Sequence, residues 1–238
     1  MVEMTGRIVV VTGAAGNLGQ AVARACQKAG ANTALVDRAP HRLPELFPSV
    51  VGSAEHYLAT GVDLTDIEAL RAMVAECVAR FGRIDALINT VGGYDGGTPV
   101  HETPPEDWER LFKLNVITVL NACRAVVPQM LSQQAGSIVN VASRSADRGT
   151  PRSGAYSAAK AALVRMTESM AAELKREGIT VNCVLPGTID TPQNRDGMPK
   201  ADTSRWVRPE QVADVAIFLI SEAASGVVGA SVPVYGTG

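Results

Sequence analysis

The chain has 238 residues, of which 46% are hydrophobic, 19% charged and only 4% aromatic, and its formal net charge is −2. A balanced charge without a cluster of Lys and Arg argues against nucleic acid as a partner. Four cysteines without a C-x-x-C pair or a nearby histidine argue against a disulfide framework or a metal site. No signal peptide pattern opens the chain and no apolar run is long enough for a bilayer, so we expect a cytoplasmic protein without a membrane partner.

Short β-branched runs alternate with segments of helical periodicity along the whole chain. The predicted strands are residues 8–11, 33–36, 56–62, 84–88, 137–141, 180–185 and 232–234. The predicted helices are residues 18–29, a segment that starts at Thr65 with capping-box spacing to Glu68, and residues 106–130, 154–176 and 209–221. Residues 38–53 carry three prolines and are predicted to be irregular or a broken helix.

Strands joined by helices predict a parallel sheet with right-handed crossovers and helices on both faces. The expected fold class is therefore α/β, a doubly wound, Rossmann-like sheet in one domain over residues 1–238. Residues 190–208 interrupt the pattern, because they are polar and contain Pro192 and Pro199. This segment is predicted to be a substrate loop.

A glycine-rich turn joins the first strand to the first helix, between Thr12 and Gly19. Gly13 can take the positive φ of a tight turn, and the missing Cβ atoms allow close approach to a pyrophosphate. The N-terminus of the following helix favours negative charge. The predicted pyrophosphate site comprises Gly13, Gly16, Asn17, Leu18 and Gly19. The alternative is a turn that serves tight packing alone.

Asp37 ends the second strand, where a carboxylate can accept hydrogen bonds from the adenosine ribose. The same carboxylate repels a 2′-phosphate, so NAD is favoured as cofactor over NADP. The next residue, Arg38, opposes this preference because a guanidinium can pair with that phosphate.

Tyr156 and Lys160 are four residues apart in a predicted helix and project from one face of it. Ser143 lies thirteen residues before Tyr156, directly after the fifth strand. A Y-x-x-x-K pair alone is a weak signal, and its alternative is an exposed pair on a solvated helix. The more specific feature is the position of this pair, after a serine that follows the fifth strand and before the sixth strand.

With these motifs in this order, the chain resembles the short-chain dehydrogenase/reductase family over essentially its whole length. Two departures from the family pattern stand out: Asn17 replaces the usual middle glycine, and Asn89-Thr90-Val91-Gly92 replaces Asn-Asn-Ala-Gly. The matching positions are Thr12 to Gly19, Asp37, Asp63, Leu64, Asn89, Asn115, Ser143, Tyr156, Lys160, Pro186 and Gly187.

The resemblance implies a role for each catalytic residue. Tyr156 is expected to be the general acid in reduction and the base in oxidation, with its pKa lowered by the Lys160 ammonium and the oxidised nicotinamide. Lys160 is also expected to hold the nicotinamide ribose. Ser143 would donate to the substrate oxygen, and Asn115 would hold a water chain that resupplies the proton.

The resemblance also implies a second set of cofactor contacts from strand ends. Thr188 is open to two interpretations, a hydrogen bond to the nicotinamide carboxamide or a cap on its own backbone. The set comprises Arg38, Asp63, Leu64, Asn89, Pro186, Gly187 and Thr188.

Three segments are expected to border the substrate: residues 92–97, 144–152 and 190–206. Arg144, with two further arginines in its loop, indicates an anionic substrate, unless these arginines pair with Asp147 or another subunit. Candidate substrate contacts are Tyr94, Arg144, Met198 and Trp206. Residues 91–97 also resemble the Gly-Gly-aromatic loop of dihydropteridine reductases.

The predicted function is transfer of a hydride between NAD(H) and a small-molecule alcohol or carbonyl compound. One alternative is an NADPH-dependent reductase of the 3-oxoacyl carrier-protein or pteridine type. Another is an NAD(H)-binding regulator without turnover, which the presence of Ser143, Tyr156, Lys160 and Asn115 disfavours. Ala and Val around much of the long helices predict a homo-oligomer, and the resemblance implies a homotetramer. No structural subunit role is indicated.

Overall fold

The computed structural model describes residues 2–236. Its sheet has seven parallel strands in the order β3-β2-β1-β4-β5-β6-β7. The strands are β1 (Ile8–Thr12), β2 (Asn32–Asp37), β3 (His56–Thr60), β4 (Ala86–Asn89), β5 (Gly136–Val141), β6 (Ile179–Pro186) and β7 (Ser231–Val234). The predicted doubly wound fold is confirmed, and the order reverses between β1 and β4, where such sheets open a crevice at their carboxyl ends.

Eight α-helices connect the strands of the described chain. They are α1 (Asn17–Lys28), α2 (Arg42–Leu46), α3 (Ile67–Phe81), α4 (Pro105–Phe112), α5 (Thr118–Gln133), α6 (Gly154–Leu174), α7 (Pro192–Gly197) and α8 (Pro209–Leu219). The single helix predicted over residues 106–130 is interrupted by a π-helical turn, Lys113–Ile117, between α4 and α5. The side-chain amide of Asn115 in this turn donates to the Leu111 carbonyl of α4 at 2.9 Å.

Two apolar cores lie on the two faces of the sheet, because side chains of a strand alternate between faces. In β1, Ile8 and Val10 pack with α3, α5 and α6 on one face. Val9 and Val11 pack with α1 and α8 on the other face. All five residues of β1 are buried, so this strand is covered on both sides, as its continuous β-branched sequence predicts.

Two local predictions are corrected by the structure. The predicted capping box of Thr65 and Glu68 is wrong, because α3 begins at Ile67 and Asp66 caps it. The Asp66 carboxylate accepts from the backbone N–H groups of Glu68 and Ala69 at 2.9 and 3.2 Å. An ionised carboxylate at this position is a stronger acceptor than a hydroxyl and also complements the helix dipole.

The segment predicted as a substrate loop has more structure than its prolines indicate. Residues 190–208 contain α7 and a short 3₁₀ turn, Thr203–Arg205. A parallel β-bridge pairs Ile189 with Val207 at its two ends. The segment is therefore a closed excursion beyond β6, and its contact with substrate stays a prediction.

Residues 105–133 form the one helical stretch in the described chain that is long and apolar enough to cross a membrane. Just over half of its most apolar window, 56%, is buried inside the fold. Packing in the core therefore accounts for this composition, and the stretch is weak evidence for a membrane span.

A chain of buried hydrogen bonds crosses the sheet from β1 to α6. Thr12 Oγ1 donates to Asn89 Oδ1 at 3.1 Å, and Asn89 Nδ2 donates to Asn140 Oδ1 at 2.9 Å. Asn140 Nδ2 donates to Thr167 Oγ1, which donates to the Leu163 carbonyl, both at 2.9 Å. All four polar side chains are at most 1% exposed. Every link is satisfied, so the buried polar groups fix one arrangement of the strands and α6.

Removal of the last link should destabilise the protein. Thr167→Val keeps the shape of the side chain but leaves Asn140 Nδ2 without its acceptor, a loss we expect to cost about 1–3 kcal/mol of unfolding free energy. Urea denaturation measures it. Thr180→Val is the matched control, because Thr180 is only partly buried in its hydroxyl contact with Ser137. Equal losses for the two variants would contradict a special role for the buried chain.

Candidate active site

The glycine turn after β1 forms a cradle of bare backbone at the start of α1. Gly13 has a φ of 68°, as predicted. A Cβ on Gly19 would lie 2.0 Å from the Gly13 carbonyl oxygen, so helix and turn touch directly at this point. Gly16 is the N-cap of α1 and offers no side chain to the first-turn N–H groups. These features fit the pyrophosphate of a dinucleotide, which needs close backbone approach and free N–H donors.

A side chain at Gly19 should disrupt this cradle. Gly19→Ala places a methyl group against backbone that cannot move without opening the turn, so we expect the Kd for NADH to rise about tenfold or more, equivalent to about 1.4 kcal/mol. Fluorescence titration measures it. Gly226→Ala is the control, since a Cβ there meets nothing within 4 Å. Unchanged NADH affinity in Gly19→Ala would show that the turn serves packing alone.

Asp37 ties the end of β2 to the glycine turn. Its carboxylate accepts from the Ala15 N–H at 3.1 Å and from the Ala39 N–H at 2.9 Å. It thus lies beside the cradle, where the sequence predicts the ribose anchor, and carboxylate oxygens have lone pairs to spare for hydroxyl donors. Arg38 is exposed and close enough to Asp63 to help lower the pKa of that carboxyl, after the larger effect of hydrogen bonds from Thr65.

Tyr156 and Lys160 lie on the first two turns of α6. Lys160 is 3% exposed, and its ammonium donates to the Val141 carbonyl at 2.8 Å. It lies 6.0 Å from the centre of the Tyr156 ring. Burial raises the pKa of Tyr156, and the nearby Ser143 hydroxyl opposes the rise. The Ser143 Oγ itself accepts from the Ser145 N–H at 3.1 Å. Ser143 and Lys160 therefore both lie near Tyr156, which is the arrangement that the family resemblance implies.

The expected lowering of the Tyr156 pKa by Lys160 is not found in the protein alone. Desolvation of the phenolate is the largest cause, and it acts upwards. Burial also lowers the pKa of Lys160 to about 8, so both groups are pushed towards their neutral forms. The Lys160 ammonium donates its hydrogen bond to the Val141 carbonyl at the end of β5.

Burial of Lys160 predicts a pH-dependent stability. Its pKa falls from 10.5 to about 8 in the folded protein, so the unfolded chain binds the proton more tightly and stability rises as the pH increases through this window. Relative to Lys160→Met, which cannot titrate, the wild-type protein should gain about 2 kcal/mol between about pH 7 and about pH 9.5. Urea denaturation of both proteins at the two pH values tests this. A constant difference would contradict a buried ammonium.

Asn115 is fully buried in the π-helical turn, and its side chain clamps the loop after β4. Oδ1 accepts from the Gly93 N–H at 3.1 Å, while Nδ2 donates to the Gly93 carbonyl at 3.0 Å. With its bond to Leu111, the side-chain amide has protein partners on both of its ends. The sequence predicts a water-holding role for Asn115 and misses this clamp, because Gly93 gives no signal of its own.

The remaining predicted cofactor residues lie at the carboxyl edge of the sheet. The side chain of Asn89 takes part in the buried chain from Thr12 to Asn140, and its contact with the cofactor stays a prediction. The Gly187 N–H donates to the Val234 carbonyl at 2.9 Å, directly after Pro186. Thr188 is exposed, and its carbonyl accepts from Val207. Leu64 is buried, and its carbonyl accepts from the side chain of Asn121.

The predicted substrate contacts divide into two groups. Tyr94 packs edge-on against Tyr156, whereas no described contact joins Met198 or Trp206 to that residue. The Arg144 guanidinium lies 5.0 Å from the centre of the Tyr235 ring, and the Tyr235 hydroxyl donates to Asp147 at 2.6 Å. The sequence did not identify Tyr235, which lies far from this loop along the chain.

A cradle for a dinucleotide beside a serine, a tyrosine and a lysine at the carboxyl edge of a doubly wound sheet defines a dinucleotide-dependent oxidoreductase. The family model of short chain dehydrogenases matches residues 7–201. The chain belongs to the short-chain dehydrogenase/reductase family, whose members use a nicotinamide cofactor. It is accordingly an oxidoreductase that acts on CH–OH or C=O groups.

Relatives of different specificity match over nearly the full chain. A 3-oxoacyl-[acyl-carrier-protein] reductase of Thermotoga maritima is 33% identical over 95% of both chains. A cis-4-hydroxycyclohexanecarboxylate dehydrogenase of Sinomonas cyclohexanicum is 34% identical over 97% of this chain and 95% of its own. The crystal structure of an NAD⁺-bound xylitol dehydrogenase superposes with a TM-score of 0.88 at 28% identity, covering 98% of this chain and 99% of that one.

Proposed function

We propose that the protein transfers a hydride between NAD(H) and an alcohol/carbonyl pair, with Tyr156 as general acid and base. The observation that carries the proposal is the meeting of the Ser143 hydroxyl, the Tyr156 phenol and the buried Lys160 ammonium on one side of α6. A phenol with a neighbouring hydroxyl donor can both orient a carbonyl oxygen and protonate it.

The nicotinamide, when bound, supplies the hydride in reduction and accepts it in oxidation. In reduction, Tyr156 gives its proton to the carbonyl oxygen, so that hydride and proton together convert C=O to CH–OH. In oxidation, the phenolate removes the hydroxyl proton. Ser143 holds the substrate oxygen towards the phenol. Lys160 places a positive charge close to Tyr156 and keeps its own position through the Val141 carbonyl.

The preference for NAD(H) rests on Asp37 beside the cradle. A carboxylate fixed by Ala15 and Ala39 repels a 2′-phosphate, and the nearby Asp63 offsets the charge of Arg38. The xylitol dehydrogenase neighbour was crystallised with NAD⁺, which supports this choice. Arg38 favours NADPH, and the 3-oxoacyl relative favours an acyl substrate, which together support the alternative of an NADPH-dependent acyl reductase. The pteridine alternative rests on the sequence of residues 91–97 alone.

We also infer a cytoplasmic homo-oligomer, with a tetramer favoured. Phe112 at the end of α4 and Leu131 near the end of α5 are exposed apolar side chains on these long helices. Apolar surface of this kind favours burial against another copy. The substrate is proposed to be a small molecule, and neither a nucleic acid nor a membrane is proposed as a partner.

Titration with NADH and NADPH, followed by the fluorescence of Trp108 and Trp206, tests the cofactor proposal. We expect NADH to bind about tenfold more tightly or better, or about 1.4 kcal/mol. Tyr156→Phe should bind NADH with unchanged affinity and lose about 10²–10⁴-fold in kcat. Tighter NADPH binding would favour the reductase alternative. Failure to bind either cofactor, or full activity of Tyr156→Phe, would contradict the proposal.

A further inference from the structure

The loop after β4 has the sequence Gly92-Gly93-Tyr94-Asp95-Gly96-Gly97, and we call it the tyrosine loop. Three of its glycines are required by close packing. A Cβ on Gly92 would lie 2.8 Å from Asn115 Oδ1 and 3.0 Å from Lys160 Nζ. A Cβ on Gly93 would lie 2.7 Å from a Leu114 methyl group. The loop therefore packs directly against Asn115 and Lys160, so closely that a residue larger than glycine at position 92 would clash with them.

Hydrogen bonds and an ion pair fix the tyrosine loop on both sides of Tyr94. Asn115 bonds both backbone groups of Gly93. The Gly97 N–H donates to the Arg152 carbonyl at 2.7 Å, and the Arg152 guanidinium donates back to the Gly97 carbonyl at 3.2 Å. Asp95 forms an ion pair with Arg110 of α4. A loop held at three points presents its side chain in a defined place.

Tyr94 presents an aromatic ring beside the acid/base residue. Its ring centre lies 5.1 Å from that of Tyr156, with an angle of 78° between the planes. Its hydroxyl lies over Gly96, where a Cβ would be 2.7 Å away. The residue is nevertheless 68% exposed. An exposed aromatic ring fixed next to a reacting group is a surface that a substrate can cover.

We propose that Tyr94 determines substrate specificity by packing against substrates whose reacting carbon belongs to a ring. A substrate oxygen bound to Tyr156 places its neighbouring carbons within about one ring width of Tyr94, since aromatic contacts extend over roughly 4.5–7 Å between centres. A cyclic substrate covers this fixed surface without loss of internal rotation, whereas an open chain must be ordered to do so. The inference rests on the proposed function and names its substrate class.

Reduction of cyclohexanone and 2-hexanone by NADH, two ketones of equal carbon number, tests the inference. The wild-type enzyme should have the higher kcat/KM for cyclohexanone. Tyr94→Ala should lower that value about tenfold, mainly through KM, and change the value for 2-hexanone less than about threefold. Tyr94→Phe is the matched control and should resemble the wild type, because the ring and not the hydroxyl makes the contact. Tyr94→Leu should lose the ring preference while it keeps apolar bulk.

Equal effects of Tyr94→Ala on the two ketones would overturn the inference, as would a wild-type preference for 2-hexanone or a Tyr94→Phe variant as impaired as Tyr94→Ala. The Kd for NADH should be the same in the wild type and the three Tyr94 variants. A higher Kd in the variants would overturn the inference, because Tyr94 would then act on the cofactor. A wild-type protein that binds NADH but reduces neither ketone overturns this inference, because a site that favours ring substrates should accept cyclohexanone. Failure to bind either cofactor overturns the proposed function, and with it this inference. If Tyr156→Phe loses activity but Tyr94→Ala lowers kcat/KM equally for the two ketones, the inference alone is overturned.

Discussion

The buried hydrogen bonds from Thr12 to Thr167 join the two halves of the candidate active site through the core of the sheet. Thr12 immediately precedes the glycine cradle, and Asn140 immediately precedes Val141, whose carbonyl holds the Lys160 ammonium. Thr167 lies on the helix that carries Tyr156 and Lys160. In a low-dielectric interior an unpaired member of such a chain is costly, so the strands and α6 have one satisfactory register. The distance from the glycine cradle to Tyr156 and Lys160 follows from that register.

A second constraint acts from the opposite side of the site, through the π-helical turn between α4 and α5. An extra residue in a helical turn changes the direction of the side chains around it, and such turns are frequent at functional sites. Here the turn brings the amide of Asn115 onto both backbone groups of Gly93. The tyrosine loop is thereby fixed against Lys160. The space beside Asn115 and Lys160 is too small for a side chain at Gly92. At this point, the contacts that pack the core also set the geometry of the candidate active site.

The sequence predicted most of the features that depend on local chemistry, although it placed the cap of α3 at Thr65 instead of Asp66. Strand periodicity, the positive φ of Gly13 and the four-residue spacing of Tyr156 and Lys160 are local, and the structure contains all three. Features that depend on tertiary partners were missed. The sequence of the π-helical turn contains no proline or glycine that would indicate it. The side chain of Asn89 faces Asn140 because β4 pairs with β5. The contact of Arg144 with Tyr235 likewise joins segments far apart in the chain.

The charge states of the buried pair bear on the direction of the proposed reaction. Burial raises the pKa of Tyr156 and lowers that of Lys160 to about 8, so near neutral pH the phenol keeps its proton. A protonated phenol is the form that reduction requires, whereas oxidation requires the phenolate. The positive charge of an oxidised nicotinamide favours the phenolate in the oxidative direction, which the protein's own groups do not achieve. In the proposed mechanism, the protein's own groups therefore favour the protonated, acid form of Tyr156, and the phenolate would depend on a bound oxidised cofactor.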